Sequence, residues 1–372
     1  MAATQNTRTD ELSPQAPPRP VTNAQDLRRQ SLYAALTKEI QAMGLLRRRH
    51  GYYWTKISIV VLVLAGLVAL HIMLGPTWWQ LLIAGLLGIA LTQAAFIGHE
   101  AGHRQIFSGR RGSEWTARLI GNLLVGMSYD WWNSKHNRHH GAPNQVGKDP
   151  DIEVKPFAWL PETAARRKGL LRWFTKRQGY LFFPLLLLEG IDLHVAGIRQ
   201  IITGKALGGR RYLERALIGL RLGGYLALVF LVLPPGMAAA FIGVQLAVFG
   251  VYMGCSFAPN HKGMPIVPRG LTVDFLRRQV LMSRNIGGGL PIEILMGGLN
   301  YQIEHHLWPN MPRPNLRRAA PVVRAFCERH GVRYTQVGLF ASYVTVVRYL
   351  NQAGLGQRDP FACPLVTQYR PV

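Results

Sequence analysis

At 372 residues the chain is long enough for two or three soluble domains, but 48% of it is hydrophobic and only 17% charged, against the roughly 25% charged residues of soluble proteins. The basic excess is large, 43 Lys and Arg against 19 Asp and Glu, for a formal net charge of +24. This balance excludes disorder over most of the chain, and three cysteines without C-x-x-C spacing exclude a disulfide scaffold, a zinc ribbon and an iron–sulfur cluster.

Residues 1–26, rich in Pro, Thr, Gln and Ala, read as a disordered tail, and 27–56 as a cytoplasmic segment ahead of the membrane. No secretory signal is visible, since the first long apolar stretch begins at Ile57. From Ile57 to Gly98 there is no Asp, Glu, Lys or Arg. One helix of that length would reach about 63 Å, twice the roughly 30 Å hydrocarbon core. Gly75-Pro76 marks the break, which predicts two spans at about 57–74 and 78–98. Tyr180–Ile202 has a short apolar core interrupted by Glu189, Asp192 and His194, so it is expected to lie in the membrane interface. A second pair of spans follows at about 216–234 and 237–258, turning at Pro234-Pro235-Gly236. Its one charge, Arg221, lies close enough to the start to snorkel. Neither turn carries a Lys or Arg, whereas the flanking segments are dense in both. The positive-inside rule therefore puts both termini and residues 99–214 in the cytoplasm. The same distribution explains the +24 charge as topology, and no aromatic–basic motif points to nucleic acid.

Eight of the twelve histidines cluster where the predicted spans emerge. GHEAGH at 98–103 places His99 and His103 four apart, on one face of a continuing helix. KHNRHH at 135–140 gives His136, His139 and His140, and NYQIEHH at 300–306 repeats the spacing with Gln302, His305 and His306. His261 lies just past the fourth span, beside Asn260. His50, His71, His194 and His330 lack such company and read as structural or surface residues. The first cluster also matches the H-E-x-x-H zinc-protease pattern, with Glu100 as general base, which keeps an intramembrane protease open as an alternative. That reading needs one further ligand beyond His99 and His103 and leaves the other clusters idle. Eight imidazoles suit two metals of about four ligands each. Imidazole alone does not choose among Zn, Cu, Fe and Ni. Attack on an inert C–H bond of a membrane-borne hydrocarbon calls for O₂ and a redox metal, which favours iron.

H-x-x-x-H, H-x-x-H-H and Q-x-x-H-H, in that order around two hairpins of spans, resemble the membrane fatty-acid desaturases over roughly residues 50–335. LNYQIEHHLWPNMP, HHGAPNQVGKDPDI and FFPLLLLEGIDLHV resemble the front-end and bacterial acyl-CoA branch. The resemblance implies a non-haem di-iron enzyme that inserts a cis double bond into a long-chain acyl-CoA or acyl-lipid with O₂ and two electrons. The implied iron ligands are His99, His103, His136, His139, His140, His261, His305 and His306. Gln302 stands where other branches have His, as a further ligand or an outer partner. No H-P-G-G haem motif occurs. Electrons derived from NAD(P)H are therefore expected from a separate carrier, a ferredoxin with its reductase or a cytochrome. A hydroxylase on the same scaffold is the nearer alternative.

Carboxylates orient ligating imidazoles, and Asp130, Asp149, Asp151 and Glu100 are close enough in sequence to do so, as is Asn260. Tyr129, Trp131 and Trp132 read as an interfacial aromatic belt. Arg110-Arg111, Arg166-Arg167-Lys168 and Arg210-Arg211 could grip the phosphates of a substrate headgroup. The expected fold is all-α and integral to a bacterial inner membrane. Four transmembrane helices form two hairpins, and a cytoplasmic helical cap carries the histidine-rich di-iron site. Residues 57–335 would form the desaturase domain and 336–372 a cytoplasmic C-terminal segment.

Overall fold

The computed structural model describes residues 24–203 and 210–357; the tail expected at 1–26 lies almost wholly outside them, as does Cys363. The chain is mainly helical. Helix α1 covers Ala24–Ala42, α2 His50–Leu74, α3 Gln80–Gly102, α4 Arg110–Arg118 and α5 Tyr129–Gly141. Next come α6 Pro161–Ala165, α7 Gly169–Thr175, α8 Gln178–Leu185 and α9 Glu189–Thr203. The second hairpin is α10 Arg211–Val232 with α11 Pro235–His261. After it lie α12 Phe275–Leu281, α13 Gly289–Leu295, α14 Gln302–Leu307, α15 Arg313–Arg329 and α16 Leu339–Leu355. One parallel strand pair, β1 Asn285–Gly287 with β2 Gln336–Gly338, joins the cap.

The apolar runs form the elements expected of them. Helices α2 and α3 pack as a hairpin whose turn is taken at Gly75, with φ of 62° in the left-handed region that glycine tolerates. Helices α10 and α11 turn at Leu233-Pro234, and α11 lies along α3 as the central helix pair. Among the described residues, five helical stretches are long and apolar enough to cross a membrane. Four of them match the expected spans. The fifth, Gln178–Thr203, is the stretch expected in the interface. It is not one regular helix: Pro184 sits inside α8, and a 3-10 turn at Leu186–Leu188 separates α8 from α9. The stretch crosses α11 at backbone contact, and a Cβ on Gly190 would overlap the Leu246 carbonyl. Only glycine permits that approach.

The cap has its own apolar core. Leu36 and Ile40 of α1 pack with Leu276 and Val280 of α12 and with Ile303, Val323 and Phe326. Residues 336–355, within the expected C-terminal segment, pack on the rest of the chain. Strand β2 pairs with β1, and Val346, Tyr349 and Leu350 of α16 are buried against Phe182 and Ile266.

Candidate metal centre

Each histidine cluster is held by a different device. Helix α3 carries His99 near its end and His103 just beyond it, with the His103 amide donating to the His99 carbonyl at 3.1 Å. Helix α5 carries His136, His139 and His140, and Ser128 caps it by accepting from the Trp131 amide. Glu214, from α10 and fully buried, accepts from the Ser128 hydroxyl at 2.6 Å and from the Asp130 amide at 3.1 Å. The α5 N-terminus is thereby tied to the second hairpin. The short α14 carries His305 and His306, and Asn285 holds it by accepting from the Ile303 amide and donating to Glu304. Burial pushes the Glu304 carboxyl up to about 7. His261 is the last residue of α11.

The four segments bring all eight histidines into two adjoining groups. Ring nitrogens of His99, His103, His136, His140 and His305 lie within 4.8 Å of one another, and so do those of His139, His261 and His306. Within the first group Nε2 of His136 is 3.0 Å from Nε2 of both His99 and His140. Across the groups, His140 stacks on His306 with ring centroids 4.2 Å apart. Trp132 stacks on His136 at 4.5 Å and lies edge-on to His99, so it walls the histidines instead of joining an aromatic belt. Sequence position alone could not separate Trp132 from its neighbour Trp131.

Hydrogen bonding on the far side of the rings fixes which nitrogen faces inward. The Asp149 carboxylate can only accept, and both its oxygens lie 3.0 Å from Nδ1 of His139, so that nitrogen carries the proton. Likewise Nδ1 of His261 donates to the Met282 carbonyl at 3.0 Å, and Nδ1 of His306 to Oε1 of Gln279 at 2.9 Å. The three Nε2 atoms are then all lone-pair acceptors turned on one another. His139 and His261 face each other at 3.2 Å, and Nε2 of His306 is buried without a partner. Nε2 atoms of His103 and His305 in the first group are orphaned in the same way. Nε2 of His261 can accept from the Gln302 amide, but no proton is supplied to the acceptors of His139 and His306, and buried acceptors left so need a cation, so this donor set fits bound metal.

Protonation favours the same conclusion. Burial, reinforced by neighbouring imidazoles, holds His136, His140, His305 and His306 well below their ordinary value, and brings His103 down to about 3. All five are neutral and available to a metal near neutral pH. Burial works against a charged His139, but Asp149 and Asp151 together outweigh it and raise the pKa. Asp149 is held low despite its burial, mainly by His139. It also accepts from the amides of Asn144 and Asp151 at 2.7 and 2.9 Å. The third close grouping, His139 with Asp149 and Asp151, uses the opposite nitrogen of His139 and is already supplied with N–H donors, Lys135 among them. It orients the ring.

Other candidates fall in different places. Gln302 approaches the centre, with Nε2 2.9 Å from Nε2 of His261. Asn260 is one step removed, donating to Oε1 of Gln302 at 3.3 Å. Asp130 turns away to Arg118 at 2.7 Å, a guanidinium it shares with Glu114 and Glu214, and so it orients no histidine. Glu100 binds Lys56 at 2.9 Å and lies 3.6 Å from Arg313, which leaves it engaged as an ion-pair partner and not as a base for His99 and His103. A polar cleft of about 460 Å³ reaches His103 and is lined by Arg48, Arg104 and Arg110, with Asn133 and Asn137. Arg111 does not line it. Arg167 is spent on Thr175 and the Phe157 carbonyl, with Arg166 and Lys168 exposed beside it. Arg210 pairs with Glu114. Gln279 bridges the His140 carbonyl and His306, and no motif in FLRRQVL announces it.

A sequence model described as fatty acid desaturase matches residues 76–338. The chain is 28% identical over 352 residues to a Delta(8)-fatty-acid desaturase of Helianthus annuus, covering 88% of this chain and 74% of that one. It is also 28% identical over 337 residues to fatty acid desaturase 3 of Bos taurus, covering 87% and 72%. An acyl-lipid (9-3)-desaturase of Physcomitrium patens is 29% identical over 309 residues, covering 81% and 58%.

Proposed function

The chain belongs to the fatty acid desaturase family, and from that footing we propose that it inserts a cis double bond into long-chain acyl groups, coenzyme A thioesters first, at a di-iron centre. The two hydrogens leave the acyl chain, and together with two electrons from a separate carrier and two protons from the medium they reduce O₂ to two waters. One iron would be held by His99, His103, His136, His140 and His305, the other by His139, His261 and His306, grouped as their nitrogens converge. Bound iron supplies the redox chemistry that O₂ activation and C–H cleavage require.

The chain's own residues prepare that chemistry. Asp149, Gln279 and the Met282 carbonyl hold Nδ1 protons, so each Nε2 lone pair stays aimed inward. Gln302 turns its amide nitrogen to Nε2 of His261 while its Oε1 accepts from Asn260, an arrangement suited to a hydrogen bond that holds that ring or a bound water. Trp132 and Phe257 press on the His99 ring from the apolar side. The cleft at His103, with Arg48, Arg104 and Arg110, offers an approach for a phosphate-bearing headgroup. The single observation that carries the reading is the inward convergence of buried imidazole acceptors whose opposite nitrogens are occupied.

The same convergence supports four spans with both termini and the centre in the cytoplasm. Helices α3 and α11 both end at the histidines, and α10 begins on that side as α11's hairpin partner. A lone crossing by Gln178–Thr203 would separate His140 from His261. Its ends instead touch cap elements: Gln178 donates to the Ala158 and Leu350 carbonyls, and Gly197 packs on Ser128. A bacterial inner membrane rests on the sequence resemblance to the bacterial branch; the relatives reported above are eukaryotic.

Gas chromatography of acyl chains from cells expressing the protein and fed defined acids is the direct test. A new monoene at one position, with two irons per purified chain, is expected. A hydroxylated product, or one zinc per chain, would overturn the assignment.

A further inference from the structure

Between α2 and α3 runs an open-sided groove of about 740 Å³, within the roughly 300–1,000 Å³ of small-molecule sites. Ile59, Val63 and Leu67 form one flank and Leu86, Ile89 and Ala90 the other. No histidine lines it among the described residues. Gln93 does, and it lies six residues before His99, about 240° round the helix. Its amide donates to the Tyr252 hydroxyl at 2.7 Å and the Ile294 carbonyl at 3.1 Å. The groove therefore occupies a different side of α3 from the metal centre.

The groove ends among buried charges. Lys56 donates to both oxygens of Glu100 at 2.9 and 3.0 Å, and Arg313 is 3.6 Å from the same carboxylate. Both cations line the groove, with side chains only 13% and 4% exposed. Two cations share one carboxylate, which leaves one positive charge in excess. The nearby Glu293 carboxylate lies 3.9 Å from Arg317, so the cluster as a whole sets three cations, Lys56, Arg313 and Arg317, against two carboxylates, and the excess stays at one. Nε of Arg313 is buried with no hydrogen-bond partner among the described residues. A buried donor on an unmatched cation is costly unless an anion meets it. An apolar trough that closes on unmatched positive charge is complementary to an amphiphile with an acidic head.

We propose that this groove binds an anionic glycerophospholipid of the surrounding bilayer, with one acyl chain between α2 and α3 and the phosphate against Lys56 and Arg313. Ile59, Leu62 and Val63 are 55%, 70% and 47% exposed on the same helix. The trough thus opens where α2 meets lipid, and phospholipid is the abundant amphiphile there.

Native mass spectrometry of the full-length protein, incubated with equimolar phosphatidylglycerol, phosphatidylcholine and oleic acid, tests this, with iron measured on the same samples. One phosphatidylglycerol per chain is expected, preferred over phosphatidylcholine by about fivefold, as one unmatched cation near a membrane surface gives. Lys56→Met should abolish the preference. Val63→Trp combined with Ile89→Trp, both at half-exposed positions, should fill the trough and abolish retention while leaving iron content unchanged. Equal retention of the two phospholipids by the unaltered chain would overturn the proposal, as would oleic acid in place of phospholipid. Undiminished phosphatidylglycerol on the double Trp variant would do so too.

Discussion

The two histidine groups are built on different terms. The group of five draws on α3, α5 and α14, is crowded by Trp132 and Phe257, and leaves Nδ1 of His140 without a partner. The group of three has fewer rings, but each Nδ1 is engaged, by Asp149, the Met282 carbonyl and Gln279. A neutral amide, Gln302, stands beside it. The first group has ligands to spare and relies on packing; the second has none to spare and relies on hydrogen bonds behind each ring. Were both groups to hold metal as proposed, the smaller would be the one with positions left for O₂ or water, and the one that individual substitutions should damage most.

The sharpest break of that comparison is between two adjacent residues. His306→Ala leaves the smaller group two imidazoles, whereas His305→Ala leaves the larger group four. We expect His306→Ala to lose one of two irons and all turnover, and His305→Ala to keep more iron. Elemental analysis showing the opposite order would remove the asymmetry, and zinc unaffected by either change would remove the di-iron reading. Next in size is Asp149→Asn, which weakens the bond that orients His139 and is expected to cost about 10–100-fold in iron affinity or activity. An equal loss from replacing Asp130, which binds Arg118 instead, would indicate charge loss as the cause.

Gln302→Leu comes third. Loss of most turnover is expected, with Gln302→His retaining more because imidazole can both ligate and hydrogen-bond. Full activity and full iron in Gln302→Leu would make the amide incidental. The smallest effects separate two arginine clusters. Arg104→Ala, at the cleft that reaches His103, should raise KM for acyl-CoA by about fivefold, the worth of one exposed cation. Arg167→Ala should leave KM alone and cost about 1 kcal/mol of stability, since its hydrogen bonds are internal.

The sequence made these residues legible to unequal degrees. The apolar hairpins and the H-x-x-x-H, H-x-x-H-H and Q-x-x-H-H spacings rest on local periodicity, which survives in any fold that keeps the helices. His261 could be singled out only because it ends a span. Gln279, the Met282 carbonyl and Glu214 left no local trace, because each acts across a long sequence separation on a histidine or a helix end it does not adjoin. Asp149 and Asp130 were indistinguishable in sequence, both being acids near the second cluster. What separates them is that α5 directs His139 toward one and Arg118 reaches the other.

The dispersal of the ligands has a consequence for how the protein is made. A ribosome delivers His99 and His103, then the α5 trio, and only much later His261, His305 and His306. By residue 140 four of the five rings of the larger group exist, while the smaller group has only His139 and waits for the second hairpin to be threaded into the membrane. If the two groups hold metal as proposed, loading would follow the order of synthesis, with most of the larger group's imidazoles delivered early and the smaller group completed last, with His306.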